Sequence, residues 1–316
     1  MTHRVIVTEE LDEAKAAWLG ERLELVRHRF DAPGFSGALA GADGLVVRTY
    51  TRVDAGLLAQ APKLRVVGRA GVGLDNVDVA ACRAAGVEVV HTPDANTQAV
   101  VEYVIGLLLD RFRPRTDLPA DAGDAGFFAL RKTEVGEELA GKTLGIVGFG
   151  RIGKRLGRAA AALGVRVLAT DVLPEARLRA AAADHPWEFL PEAELLGRSD
   201  VVTLHADGRA ANRHMIAGPQ LARLRPDALF VNAARGFLVD AEALAGWLRD
   251  HPAGSAALDV HDPEPPPAGS PLRGLPNARL LPHLASRTTT ALANMSAVVE
   301  DVDRVLRGEA PRFPAP

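Results

Sequence analysis

An arginine, a glutamate and a histidine in the last third of the chain are residue types that hold anions and move protons. Arg235 stands in Val231-Asn232-Ala233-Ala234-Arg235, Glu264 in Leu258-Asp259-Val260-His261-Asp262-Pro263-Glu264-Pro265, and His283 in Leu280-Leu281-Pro282-His283. Each comes shortly after a run of apolar residues that reads as a β-strand, and open α/β sheets bind ligands at the carboxyl ends of their strands. The planar fork of an arginine suits a carboxylate or a carbonyl oxygen. A histidine titrates near neutral pH and can take the proton of a hydroxyl while hydride leaves the same carbon, and a neighbouring glutamate favours the charged imidazole. Taken singly, each has a structural reading: Arg235 beside a surface acid, Glu264 ending a proline-rich loop, His283 as one of nine histidines satisfied in a core. Their joint placement after successive strands is what points to chemistry.

A second constellation precedes them. Lys142 to Gly153 places Gly148, Gly150 and Gly153 as Gly-x-Gly-x-x-Gly directly after an apolar strand and at the mouth of a helix. Gly148 allows a tight turn, Gly150 lets backbone approach a pyrophosphate, and Gly153 permits a helix to pack closely on the sheet, while the helix N-terminus offers N–H donors to an anion. Roughly 20 residues further on, Asp171 ends the next strand, where a carboxylate accepts from ribose hydroxyls and repels a 2′-phosphate. NAD is therefore favoured over NADP. Adenosylmethionine enzymes share related glycine loops, and the segment alone does not separate the two.

The elements that must position these residues alternate along the whole chain, the mark of parallel α/β architecture. Strands are expected at Arg4–Thr8, Gly44–Arg48, Arg65–Val67 and Val87–His91, with helical stretches at Asp12–Leu23 and Val53–Ala61. A larger set is expected at Thr143–Val147, Arg166–Thr170, Val201–Leu204, Leu229–Asn232, Ala256–Asp259 and Arg279–Leu281. Apolar residues recur at helical spacing over Thr97–Leu109, joining the sets, and again over Thr288–Leu306, which returns the chain toward the first. Two doubly wound parallel-sheet domains follow, one discontinuous: residues 1–97 plus 286–316, and residues 98–285. Arg113–Glu138, with interspersed Pro, Gly and Asp, reads as a long excursion and candidate partner-contact arm.

Composition bounds the function classes. At 316 residues, two domains with real cores are expected. Lysine and arginine number 37 against 40 aspartates and glutamates, a net charge of −3 that offers nucleic acid or an acidic membrane no basic surface. The single cysteine, Cys82, permits neither an intrachain disulfide nor a structural zinc site, and no metal is expected. No apolar stretch is long enough for a signal-peptide core or a membrane span, so a cytoplasmic protein is expected.

These motifs resemble the D-isomer-specific 2-hydroxyacid dehydrogenase family, most closely its D-3-phosphoglycerate dehydrogenase branch. The resemblance covers nearly the whole chain and rests on Leu64–Val79 (LRVVGRAGVGLDNVDV), Asn96-Thr97 with Glu102, Glu138–Gly153 (ELAGKTLGIVGFGRIG), Asn232–Gly236 (NAARG), Leu258–Pro265 and Leu281–Thr288. It implies two Rossmann-like domains around a cleft, a homodimer, NAD as cofactor and a small 2-hydroxy or 2-keto acid as substrate; since the sequence stops at Pro316, no extra C-terminal regulatory domain is expected. It makes His283 the acid/base, Glu264 its partner and Arg235 the group that binds and polarises the keto acid. It places Arg48, Arg69, Gly71, Gly73 and Asn96 on the substrate side. Toward the cofactor it places Val72, Gly148, Gly150, Arg151, Ile152, Gly153, Asp171, Ala206, Ala233, Ala234, Asp259 and Ser286. Three positions depart from the pattern: His205-Ala206-Asp207 stands where a Pro-Leu-Thr type loop is usual, His261 where an aromatic is usual, and Phe127-Phe128 where the arm carries a tryptophan. The resemblance implies D-3-phosphoglycerate oxidation first, glyoxylate or hydroxypyruvate reduction as a sibling activity, and an NAD-sensing corepressor-like protein as a reading of another class. Formate dehydrogenases of the family carry glutamine where Glu264 stands.

Overall fold

A computed structural model of the chain describes residues 3–316. It divides into two compact units, one formed by the chain up to Asn96 together with Ser286–Pro316, the other by Thr97–Ala285.

The first unit is built on a five-stranded sheet of β1 (Arg4–Val7), β2 (Glu24–Arg27), β3 (Gly44–Val47), β4 (Val66–Arg69) and β5 (Glu88–His91), ordered β2-β1-β3-β4-β5. All pairs are parallel, with Val47 opposite Arg69 and Arg69 opposite His91. Ile6, Leu45, Val47, Val67 and Val89 form one buried face with Leu39, Leu57 and Cys82. The helix Val298–Leu306 covers the other, with Val302 against β4. Parallel sheets need both faces covered, and here the last helix of the chain supplies the second cover. In this order the chain changes direction across the sheet between β1 and β3, the place where such sheets bind ligands.

The second unit holds seven strands: β6 (Thr143–Val147), β7 (Arg166–Thr170), β8 (Glu188–Phe189), β9 (Val201–Leu204), β10 (Leu229–Asn232), β11 (Ser255–Leu258) and β12 (Ala278–Leu280), ordered β12-β11-β10-β9-β6-β7-β8 and parallel throughout. Alternate residues feed two cores: Leu144, Ile146, Leu229 and Val231 pack with Val100, Val104 and Leu108 of the helix Thr97–Phe112, while Val147, Val202 and Phe230 pack on the opposite side with Leu195, Leu244 and Trp247. The switch point lies between β6 and β9.

Several elements differ from the sequence reading. The strand expected at Arg65–Val67 runs to Arg69. β2 and β8 were not expected, because both are short edge strands with polar residues and no buried run to mark them. The stripe over Thr288–Leu306 is two helices, Thr289–Ser296 and Val298–Leu306. At their junction the Ala297 N–H is shared between the carbonyls of Ala293 and Asn294, a local tightening that apolar periodicity does not register. The helix expected at Asp12–Leu23 is Glu13–Gly20, with Asp12 as its cap accepting from the Lys15 N–H at 3.0 Å. Within Arg113–Glu138 the chain forms a helix, Gly123–Thr133, none of whose residues is buried. Among the described residues no helix is long and apolar enough to cross a membrane.

Candidate active site

The glycine loop leaves β6 at the second unit's switch point. Gly148 has a φ of 93°, and a Cβ there would lie 2.6 Å from the His205 carbonyl carbon and 2.7 Å from the Ala206 nitrogen. A Cβ on Gly153 would lie 2.4 Å from the Gly148 oxygen. These two glycines are therefore required by conformation and close approach. Gly150 differs: nothing lies within 4 Å of a Cβ placed there, and it starts the helix Arg151–Ala162 without a side-chain cap. Open space beside uncapped N–H groups is a cradle for an anion. Asp171, just past β7, accepts from the Phe149 N–H at 2.6 Å and the Leu173 N–H at 2.9 Å, so it ties the glycine loop to its own turn. Arg209 lies near enough to Asp171 to feel its charge and is itself held by Asp207 at 2.7 Å. The residues present fit a dinucleotide: a cradle at Gly150, a carboxylate beside it, and Ala206 on the loop across the switch point.

The catalytic candidates emerge from β10, β11 and β12. Asn232, 1% exposed, staples the turn after β10: its amide donates to the Arg235 oxygen at 2.8 Å and its oxygen accepts from the Ala234 N–H at 3.0 Å. This turn carries Ala233 and Ala234 and presents Arg235, whose Nη1 donates to the Ala234 oxygen at 2.7 Å. Glu264 accepts from the His261 N–H at 2.9 Å through Oε1 and stands 2.9 Å from His283 Nδ1 through Oε2. Burial alone would raise its carboxyl; the hydrogen bonds from His283 and the His261 N–H outweigh that and hold it below the ordinary range. With Nδ1 committed to Glu264, Nε2 is the ring nitrogen of His283 left for a substrate hydroxyl. His283 itself has a φ of 57°. A histidine in the left-handed region costs on the order of 1 kcal/mol and persists only where its surroundings over-determine it. Those surroundings include Asp259, fully buried, which accepts from the N–H groups of Leu284 and Ala285 at 2.8 Å each and from the Tyr103 hydroxyl at 2.9 Å.

The remaining candidates belong to the first unit. Arg48 and Arg69 are 9% and 7% exposed at the ends of neighbouring strands. The Arg69 guanidinium lies over Gly71, whose oxygen accepts from the Thr92 N–H at 3.1 Å, and the Val72 oxygen stands 3.0 Å from His91 Nδ1. Gly73 continues this loop. Asn96 is half-buried, and its side-chain oxygen has no hydrogen-bond partner among the described residues. Ser286 begins the returning segment of this unit.

Sequence reasoning missed three residues that shape these surroundings. Glu9, beyond β1, accepts from the N–H groups of Arg48, Thr49, Tyr50 and Thr51 and from the Thr51 hydroxyl at 2.9 to 3.2 Å, fixing the loop that carries Arg48. Glu10 takes Arg48 and Arg287 on one carboxylate oxygen. Tyr103 reaches Asp259 from the helix Thr97–Phe112. The only signals available were two acids after an apolar strand and a phenol within an aliphatic stretch.

A family model described as "D-isomer specific 2-hydroxyacid dehydrogenase, NAD binding domain" matches residues 105–285, more than half of the chain. The chain belongs to the D-isomer-specific 2-hydroxyacid dehydrogenases. It is an NAD-dependent oxidoreductase of that family, and Thr97–Ala285 contains its NAD-binding region. It is 39% identical to an (S)-sulfolactate dehydrogenase of Chromohalobacter salexigens over 96% of this chain and 98% of that protein. It is also 39% identical to a D-3-phosphoglycerate dehydrogenase of Mycobacterium leprae over 96% of this chain, spanning 57% of that protein's length. A crystal structure of a Thermus thermophilus protein superposes with a TM-score of 0.85 at 35% identity, covering 99% of this chain and 100% of that one.

Proposed function

We propose that this dehydrogenase oxidises D-3-phosphoglycerate to 3-phosphohydroxypyruvate, as a cytoplasmic homodimer. The observation that carries the substrate class is the pair of guanidinium groups at the β1/β3 switch point, where Arg48 and Arg287 share one Glu10 oxygen. Burial first, then the nearby Arg287 charge, works against the protonated Arg48, while the Glu10 and Glu9 charges work for it. With one carboxylate oxygen shared between two five-donor guanidinium groups, N–H donors remain for an arriving anion. A 2-hydroxy acid bearing a second, tetrahedral oxyanion on C3 meets that requirement, and two guanidinium groups favour a dianionic phosphate.

In oxidation, Nε2 of His283 takes the hydroxyl proton, Glu264 stabilises the imidazolium through Nδ1, and the Arg235 fork holds the carboxylate and the developing carbonyl oxygen. NAD, when bound, accepts the hydride in oxidation and its reduced form returns it in reduction. In reduction the charged His283 donates the proton while Arg235 polarises the carbonyl. Gly71 and Gly73, with Arg69 and Asn96, are the first unit's residues for the substrate acid, and Val72 its residue for the cofactor. Asp171 and the turn at Gly150, Arg151 and Ile152 hold the dinucleotide, with Ala206, Ala233, Ala234 and Ser286 around it, while Asp259, fully buried, acts through the backbone N–H groups of Leu284 and Ala285 that it holds.

A second reading has specific support, because the sulfolactate dehydrogenase relative matches this chain end to end. (S)-Sulfolactate and D-3-phosphoglycerate arrange hydrogen, hydroxyl, carboxylate and the substituted methylene identically in space; sulfur merely changes the naming priority. One active-site hand serves both. The deciding assay follows NADH at 340 nm with NAD and D-3-phosphoglycerate, (S)-sulfolactate, D-glycerate or D-lactate, and with NADH and hydroxypyruvate or glyoxylate. Highest kcat/KM for phosphoglycerate is expected. Preference for sulfolactate would replace the substrate within the doubly anionic class, and preference for D-glycerate, D-lactate, hydroxypyruvate or glyoxylate would refute that class.

The dimer rests on the helix Gly123–Thr133, where Phe127 and Phe128 are 45% and 65% exposed and pack edge to face. Arg131 and Lys132 follow them. Exposed aromatic pairs on an otherwise unburied helix fit a second copy. Sedimentation should give twice the chain mass for the native protein and a monomer for the doubly substituted Phe127→Ser, Phe128→Ser variant; a native monomer would sink the assignment.

A further inference from the structure

We propose that Tyr103 is a positioning residue for His283, acting through Asp259; the proposal rests on the acid/base role assigned to His283 above. His283 occupies the left-handed region at φ 57°, which a side chain other than glycine holds only under constraint. The constraint sits immediately after it: the N–H groups of the next two residues, Leu284 and Ala285, both point into the Asp259 carboxylate at 2.8 Å. That carboxylate is fully buried, so its own orientation depends on the protein donors it meets. The Tyr103 hydroxyl donates to Oδ1 at 2.9 Å, on the same oxygen that receives the Leu284 N–H. Burial, then the Asp259 bond, keeps the phenol protonated and therefore a donor.

The helix that carries Tyr103 is anchored by Val100, Val104, Leu107 and Leu108, all buried. A fixed phenol on a packed helix orients the carboxylate, the carboxylate fixes two successive N–H groups, and these hold the turn that aims the imidazole at Glu264 and the substrate. Small misplacements of a catalytic group cost large factors in rate, so a residue that never touches substrate can matter.

Tyr103→Phe removes one oxygen and keeps the ring. It is expected to lower kcat about tenfold to 100-fold, the scale of a misplaced catalytic group, while the KM for the hydroxy acid and the NADH dissociation constant move less than about threefold. In protein without cofactor, amide exchange over residues 281–286 should accelerate at least about tenfold, with the thermal midpoint nearly unchanged. In an Asp259→Asn background, Tyr103→Phe should add less than about a twofold further loss, because both substitutions act on one path. Wild-type kcat with wild-type exchange in Tyr103→Phe overturns the proposal, and so do fully multiplicative losses in the double variant. His283→Ala assayed alongside separates the two readings: if it is inactive while Tyr103→Phe matches wild type, only the positioning role fails. If His283→Ala turns over normally the acid/base reading fails, and the exchange measurement alone then decides whether Tyr103 holds this turn.

Discussion

Replacing His283 with alanine is expected to lower turnover by about 10² to 10⁴-fold in both directions while NADH still binds, because a positioned acid/base contributes about that much. The loss should fall mainly on kcat. The imidazole stands 2.9 Å from Glu264 through Nδ1 and makes no part of the glycine cradle at β6, so the cofactor's anion site is left intact. Glu264→Gln should cost less than the histidine itself. It keeps a hydrogen-bond partner near Nδ1 but removes the charge that stabilises the imidazolium, and a charge-assisted bond is roughly twice as strong as a neutral one. Stopped-flow absorbance at 340 nm with saturating NAD and the preferred hydroxy acid reads both variants. Near-normal turnover in His283→Ala, with NADH binding retained, would remove His283 from the mechanism and leave Arg235 and Glu264 without the proton carrier they are proposed to serve.

How far such residues can be found without coordinates depends on how locally their requirements are written. Gly148, Gly150 and Gly153 were legible because each answers to a constraint within a few residues: a φ of 93°, open space before a helix, and contact with the Gly148 oxygen. Strands β6, β9 and β10 were legible because their residues are buried on both faces and read as unbroken apolar runs. The Arg235, Glu264 and His283 positions could be placed at strand ends by the same logic. Their partners could not. Tyr103 and Asp259 are separated by 156 residues and Arg48 and Glu9 by 39, so no periodicity joins them. The left-handed backbone at His283 left no glycine to announce it, since the constraint is supplied by a buried carboxylate rather than by residue type. Edge strands β2 and β8 were invisible for a related reason: their pairing is decided by the neighbouring strand, not by their own composition.

The glycine loop supplies the second large effect, and it separates fold from cofactor binding within a single motif. Gly148→Ala forces a side chain into the left-handed region and drives its Cβ to 2.6 Å from the His205 backbone, where no flexible atom can yield. Backbone strain of about 1–3 kcal/mol and overpacking of similar size together predict about 2–5 kcal/mol of lost stability. For a unit the size of Thr97–Ala285 that is a fall of roughly 5–15 °C in thermal midpoint. NADH affinity should drop by about 100-fold as the turn is displaced, equivalent to some 2.7 kcal/mol. Gly150→Ala makes the opposite case. Its φ is −75° and its Cβ would meet nothing within 4 Å, so the thermal midpoint should hold. If the dinucleotide's pyrophosphate rests against Gly150, that open space is where it lies, and NADH affinity should fall at least about tenfold with stability intact. Differential scanning calorimetry and NADH fluorescence titration on the two variants test the pair together. Unchanged NADH affinity in Gly150→Ala would show that the space beside the helix N-terminus is not where the cofactor's anion sits, and would reassign the loop from ligand cradle to tight turn.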